Sequence, residues 1–172
     1  MWKPGLFVLA LTAATPAVAQ EKGAVYGGLQ LGQLSTDTSG AASIDGDDLI
    51  YGLHVGYDLD LGLAVVGGEL DVDFGDIELG GGAETIDSVT RFKLRAGRNV
   101  GDALIYGTAG LARADASLGT DNGTFLGAGV GFDTGTGWVL GGELLIHDFD
   151  DFENTGIDIE ATTFTARASF RF

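Results

Sequence analysis

Two stretches of the chain place ionisable side chains at every second position. Glu69, Asp71 and Asp73 form one set, and Arg91, Lys93 and Arg95 form the other. At a spacing of two, each set projects from a single face of a β-strand. In an antiparallel hairpin, directly paired residues have position numbers of constant sum. Asp73 with Arg91, Asp71 with Lys93 and Glu69 with Arg95 all sum to 164, centred on Gly80-Gly81-Gly82. The same register sets Val72 against Phe92, Leu70 against Leu94 and Gly68 against Ala96. One face is then a ladder of three opposite-charge pairs, and the other is apolar. Glu143 with Arg167 repeats the pattern later, with Ile146 against Phe164, Leu140 against Phe170 and Trp138 against Phe172.

Other chemistries have less to draw on. Cysteine is absent, which removes disulfides, thiolate metal sites, a Cys nucleophile and a lipoprotein anchor. Of the two histidines, His54 alternates with Gly52 and Gly56 on the charged face and reads as a packed or ion-paired residue. His147 falls on the same kind of face at a strand end, beside Asp148 and opposite Thr163, with neither Ser88 nor Ser169 expected nearby. A Ser–His–acid arrangement is therefore not expected. Asp148-x-Asp150-Asp151-x-Glu153 lacks the glycine and spacing of an EF-hand. No catalytic, cofactor or metal residue is assigned.

The elements that position these charges can be read from composition and alternation. The 172 residues carry 9 Lys+Arg against 25 Asp+Glu, a formal charge of -16, which excludes a binder of nucleic-acid phosphates. Hydrophobic residues make up 45%, too many for an acidic disordered chain. The only prolines are Pro4 and Pro16, so everything beyond is free to donate to a sheet ladder. Residues 1–19 have a charged start (Lys3), a short apolar run and Ala17-Val18-Ala19, the form of a secretory signal peptide cleaved after Ala19. Residues 20–172 are then a single exported domain.

Period-two alternation predicts eight strands at about 23–34, 48–58, 62–75, 88–98, 103–115, 124–133, 137–148 and 159–172. In the fifth, neither Leu104-Tyr106-Thr108 nor Ile105-Ala109-Leu111 stands out as the apolar face. Short connections near 60, 100 and 135 alternate with longer acidic ones around 35–47, 76–87, 116–123 and 149–158. An even strand count with short turns at one end and long loops at the other is the organisation of a transmembrane barrel.

A soluble barrel with an apolar interior has the same alternation. The export signal, the missing prolines and aromatics near strand ends favour the membrane form. Tyr57, Phe132, Trp138 and Phe172 would make one girdle, and Phe74 and Phe149 would lie toward the other. The charged set then lines the interior, where Glu69, Asp71, Asp73, Arg91, Lys93, Arg95, Glu143 and Arg167 neutralise one another and leave no wide channel.

Leu104-Ile-Tyr-Gly-Thr-Ala-Gly-Leu-Ala112 resembles the fifth strand of small bacterial outer-membrane barrels of the OmpA-like and opacity-protein type. Trp138-Val-Leu-Gly-Gly-Glu143 and His147-Asp-Phe149 are similar to a later strand of that family. Phe164, Phe170 and the terminal Phe172 match its C-terminal signal to the barrel-assembly machinery. The chain departs in having Leu144 and Ile146 where the family usually has tyrosines. The resemblance covers 20–172 and implies an all-β, eight-stranded antiparallel up-and-down barrel in a Gram-negative outer membrane, with both termini periplasmic.

The expected role is non-enzymatic, structural or surface-interacting, without cofactor and as a monomer. Its partners would be outer-membrane lipid, lipopolysaccharide and the assembly machinery. Asp45, Asp47, Asp48, Asp76, Glu78, Asp148, Asp150, Asp151 and Glu153 read first as solvating the long loops, and second as sharing divalent cations with lipid phosphates. Adhesion or ligand binding through the acidic loops is the alternative, and lipid-modifying catalysis a lesser one.

Overall fold

The computed structural model describes residues 23–39, 46–79, 84–116, 120–149 and 158–172. Eight strands run in chain order: β1 Gly23–Ser39, β2 Gly46–Asp60, β3 Val65–Leu79, β4 Glu84–Val100, β5 Ala103–Ala116, β6 Thr120–Asp133, β7 Trp138–Phe149 and β8 Asp158–Arg171. Each pairs antiparallel with its neighbours and β8 closes on β1, giving a closed barrel without free edges. All eight expected strands are present. Most are longer than alternation alone indicated, β4 beginning at Glu84 rather than 88, because polar Ser, Thr and Asp continue the ladder past the point where the apolar pattern stops. The cleavage residues Ala17 and Ala19 lie outside the described residues, as do the middles of the four long connections.

The short connections are set by local chemistry. In Asp60-Leu61-Gly62 the Asp60 carboxylate accepts a hydrogen bond from the Gly62 N–H at 2.7 Å, and Gly62 adopts φ +86°. Asp133-Thr134-Gly135 repeats the device, with the Gly135 N–H donating to Asp133 at 2.8 Å and φ +75°. An Asp accepting from the N–H two residues on, followed by a glycine at positive φ, reverses the chain in few residues.

The faces are inverted relative to a soluble protein. Leu49 is 70% exposed and Leu126 68%, while Arg91 and Lys93 are 1% exposed. Leu29, Leu31, Leu53, Val55, Phe92, Leu94, Leu111, Leu140 and Leu144 join the exposed apolar band. Strand β5 resolves the same way, with Leu104, Tyr106 and Thr108 inward and Ile105 and Leu111 outward. Tyr57, Phe132, Trp138 and Phe172 are exposed toward the short-turn end. There Trp138 meets Phe170 edge-on at 5.3 Å, and Phe170 meets Phe172 at 5.4 Å. Phe74 is outward toward the other end, and the side chain of Phe149 is outside the described set.

The register differs from the sequence expectation. In β3–β4, Asp71 lies opposite Arg91, Glu69 opposite Lys93 and Asp73 opposite Val89, while Leu70 meets Phe92 and Gly68 meets Leu94. In β7–β8, Glu143 lies opposite Thr165, Gly141 opposite Arg167, Trp138 opposite Phe170, Leu140 opposite Ala168 and Leu144 opposite Phe164. Both hairpins are displaced by two residues from the expected pairing. Alternation fixes which face a side chain takes, but a slide of two keeps every face unchanged. An irregularity between Phe74 and Ile77 contributes to the slide in β3–β4.

Small residues let the interior fill. At Gly141, inward on β7, an added Cβ would sit 2.1 Å from the Val130 carbonyl oxygen, whereas at outward Gly142 nothing comes closer than 3.5 Å. Gly141→Ala should therefore cost about 1–3 kcal/mol in urea unfolding of the refolded barrel, as overpacking does. The adjacent Gly142→Ala should be close to neutral.

Candidate functional site

The lumen holds the chain's densest chemistry, and the barrel wall dictates its composition. Outward positions face lipid-like apolar contacts, so polar side chains of the same strands are turned inward and must satisfy one another there. Lys93 on β4 is the hub. Its ammonium bonds Asp71 at 2.5 Å, also bonds Glu143, and lies 3.3 Å from Glu69. Those three buried carboxylates have ligand oxygens within 4.8 Å of one another, a grouping fit for a metal ion. Lys93 holds that place.

The network continues in both directions. Toward the long connections, Arg91 bonds Asp73 at 2.5 Å and Asp71 at 3.4 Å, and Gln30 donates to Asp73 at 2.5 Å. Arg91 Nε also donates to His147 Nε2 at 2.8 Å, so that imidazole nitrogen is an acceptor. Toward the short turns, Arg167 bridges Glu69 at 2.7 Å and Glu143 at 2.8 Å. Tyr26 donates to Glu69 at 2.7 Å and Tyr106 to Glu143 at 2.9 Å. Arg95 closes this end, 3.1 Å from Asp58, 3.4 Å from Glu69, and stacked 4.2 Å from the Tyr106 ring centroid.

All eight residues expected to line the interior, Glu69, Asp71, Asp73, Arg91, Lys93, Arg95, Glu143 and Arg167, are brought together there. Although the backbone register has slid, Arg91–Asp73, Lys93–Asp71 and Arg95–Glu69 remain in contact as diagonal pairs, because long side chains reach two residues along the neighbouring strand. The network has further members. Alternation sets Asp58 on the face of His54 and Gly56, and it lies inside. Tyr26, Gln30 and Tyr106 gave less warning, since hydroxyl and amide groups read as neutral in an apolar pattern.

Both histidines take the expected inner face, but with other neighbours than the sequence indicated. His147 is buried, lies opposite Ala161 rather than Thr163, and belongs to the Arg91 cluster. His54 Nε2 lies 2.7 Å from Ser169 Oγ, a pairing the sequence did not suggest, because β8 closes on β1 and brings Ser169 opposite Gly28 beside His54. Among the described residues the other His54 nitrogen has no hydrogen-bond partner and no carboxylate orients the ring.

Apolar side chains cap the charges on both sides. Val89, Ala112, Phe125 and Leu145, with Leu34, Ile50 and Ala161, lie toward the long connections. Val65 and Leu104 lie with Tyr106 toward the short turns. Beside Arg95, Arg167 and Ser169 there is a pocket of only about 30 Å³, room for a water or two.

The family model for the outer membrane protein beta-barrel domain matches residues 5–172. The attachment invasion locus protein Ail of Yersinia pestis is similar in structure, with a TM-score of 0.56 and 15% identity over 89% of this chain and 99% of that one. Ail in complex with the heparin analogue sucrose octasulfate gives 0.52 and 16% over 86% and 99%. Neisserial surface protein A gives 0.59 and 12% over 86% and 97%. These likenesses concern the fold. No curated protein sequence matches the chain.

Lys93→Met removes the cation that Asp71 depends on most and should lower urea stability by about 3–5 kcal/mol, the cost of stranding a buried charge. Adding Asp71→Asn should recover part of that loss, since Glu69 and Glu143 keep Arg167 and the tyrosines, and Arg91 keeps Asp73. Both effects are read by the midpoint of equilibrium urea unfolding in lipid vesicles. A neutral effect of Lys93→Met would mean water reaches the network.

Proposed function

The chain belongs to the outer membrane protein beta-barrel domain family, and from that premise we propose that it is a non-enzymatic structural or surface-interaction protein of the Gram-negative outer membrane. Its termini and short turns face the periplasm and its long connections face outward, as the alternation of connection lengths supports. Outer-leaflet lipid surrounds the apolar band, and the barrel-assembly machinery reads the outward Phe164, Phe170 and Phe172. The protein works as a monomer and needs no cofactor.

One observation carries this reading: the middle of the lumen is filled by a network of buried, paired charges with apolar caps above and below. A general diffusion pore needs an open polar channel, and a hydrolytic site needs a reachable nucleophile with an oriented base. The buried His54, with one nitrogen unpartnered and no carboxylate behind it among the described residues, does not support a hydrolytic site. Purified protein in planar bilayers should therefore show no steady porin-like conductance, and it should shift mobility on heating as a folded barrel does. Long-lived channels in most insertions would overturn the reading.

Assembly gives a second test. Deleting Phe172 should reduce the folded fraction that cells insert while leaving refolding into detergent unchanged, whereas Phe132→Ala, also exposed near the same end, should reduce neither. Equal losses for the two variants in cells would remove the recognition role from Phe172.

Adhesion or ligand binding through the long connections is the second reading, favoured by their charge. The register sets Glu160 opposite both Asp37 and Asp148, three acids side by side on β1, β8 and β7. Ail binds a sulfated heparin analogue. An acidic end suits instead a cationic partner, or divalent cations shared with lipopolysaccharide phosphates. Deleting the 150–157 connection and comparing adhesion with envelope leakiness separates the two readings.

A further inference from the structure

Where the apolar band ends on the long-connection side, two parts of the barrel wall differ in chemistry. On β7, β8 and β1 the register aligns the acids Asp148, Glu160 and Asp37. On β4, β5 and β6 it aligns Thr90, Arg113 and Asn122, with Thr90 opposite Arg113 and Arg113 opposite Asn122. Arg113 and Asn122 are exposed, and Thr90 is half-buried. Two positions nearer the middle of each strand come Phe92, Leu111 and Thr124, all exposed on the same outer face, followed on β6 by Leu126. A row of hydrogen-bond donors thus sits at the upper edge of an apolar surface.

The charge of this row is singular. Across the stretches that carry the long connections, residues 34–48, 74–90, 112–125 and 146–163, Arg113 is the only Lys or Arg among many carboxylates. It sits on the outer wall, not in the lumen with Arg91, Lys93, Arg95 and Arg167. A guanidinium with a hydroxyl and an amide on the adjacent strands matches the oxygens of a phosphate, which accept a forked pair of N–H bonds and further neutral donors. Arg113 and Asn122 have interactions of their own, so a phosphate would share or exchange those contacts.

We propose that Thr90, Arg113 and Asn122 form a docking site for the phosphate of an outer-leaflet glycolipid, a phosphorylated glucosamine carrying acyl chains. The chains lie against Phe92, Leu111 and Leu126 while the phosphate meets the donor row. The two contacts arise together only for a ligand that is anionic at one end and apolar at the other. The site rests on the reading that the long connections face outward.

The test uses the full barrel, refolded in detergent and checked by heat-modifiable mobility, titrated with lipids by native mass spectrometry. The probes are bisphosphorylated lipid A, the same lipid after phosphatase treatment, phosphatidylglycerol and inorganic phosphate. The wild type should prefer the bisphosphorylated over the dephosphorylated lipid by about fivefold or more, as a charge-assisted contact implies. Arg113→Ala should abolish that preference, and Arg98→Ala, exposed near the short-turn end, should keep it. Retained preference in Arg113→Ala, no preference in the wild type, or equal competition by inorganic phosphate or phosphatidylglycerol would each overturn the site. Orientation is read separately by labelling Asp148→Cys on whole cells with a membrane-impermeant maleimide. Labelling with no Arg113 effect overturns the site alone, while absence of labelling overturns the orientation on which it rests.

Discussion

A single ammonium shared by three buried carboxylates is the interaction on which the rest of this barrel depends. Lys93 meets Asp71, Glu69 and Glu143 at the centre of the lumen. Each of those carboxylates extends the network: Asp71 to Arg91, Glu69 to Arg167 and Arg95, and Glu143 to Arg167. Moving a charge out of water costs several kcal/mol, and the interior recovers this only where every remaining lone pair is engaged. Neutral donors add to the shell. Tyr26, Tyr106 and Gln30 add bonds to Glu69, Glu143 and Asp73 that basic side chains alone would leave unmade. The contacts join residues distant in sequence, Arg167 to Glu69 among them, so the network ties strands across the lumen as well as along the ladder.

The same constraint explains the inverted surface. In lipid every backbone donor and acceptor must be paired within the protein, which a closed ladder from β1 to β8 accomplishes. Once the wall is closed, the outer side chains meet hydrocarbon and the inner ones meet each other. Leucine, valine and phenylalanine take the first role. Charge takes the second, together with glycines such as Gly141 where the opposing carbonyl leaves no space for a Cβ. Apolar residues reappear inside only at the two ends of the network, where they keep water from competing for its hydrogen bonds.

How much of this was legible in the sequence follows from what alternation encodes. A period of two assigns each side chain to a face, so the eight strands, the inward charges and the outward aliphatic band could be read directly. It carries no information about a slide of two residues, and both charged hairpins differ from the expected pairing by that amount. The ion pairs survived because arginine and lysine reach diagonally as readily as straight across. Strand β5 was ambiguous because both its faces carry apolar residues, and only the position of Tyr106, with its hydroxyl on Glu143, shows which side is inside. The pairing of His54 with Ser169 depends on β8 closing against β1, a contact between the two ends of the domain that no local pattern announces.

A lumen locked in this way shifts functional variation to the rims. The charge network fixes the inner face of the strands that contribute to it, because replacing one member leaves another stranded. The apolar band restricts the outer face to residues compatible with hydrocarbon. The short turns are constrained again by Asp60 and Asp133, whose carboxylates hold the chain reversals at Gly62 and Gly135. What remains free is the collar where strands rise beyond the band and the connections above it. There neighbouring strands already differ in kind, with carboxylates aligned on β7, β8 and β1 and donors aligned on β4, β5 and β6. Register decides which residues of that collar stand side by side, and register is set lower down, by the bulges and pairings of the wall. The rigid interior thus determines the chemistry that each sector of the rim presents to its surroundings.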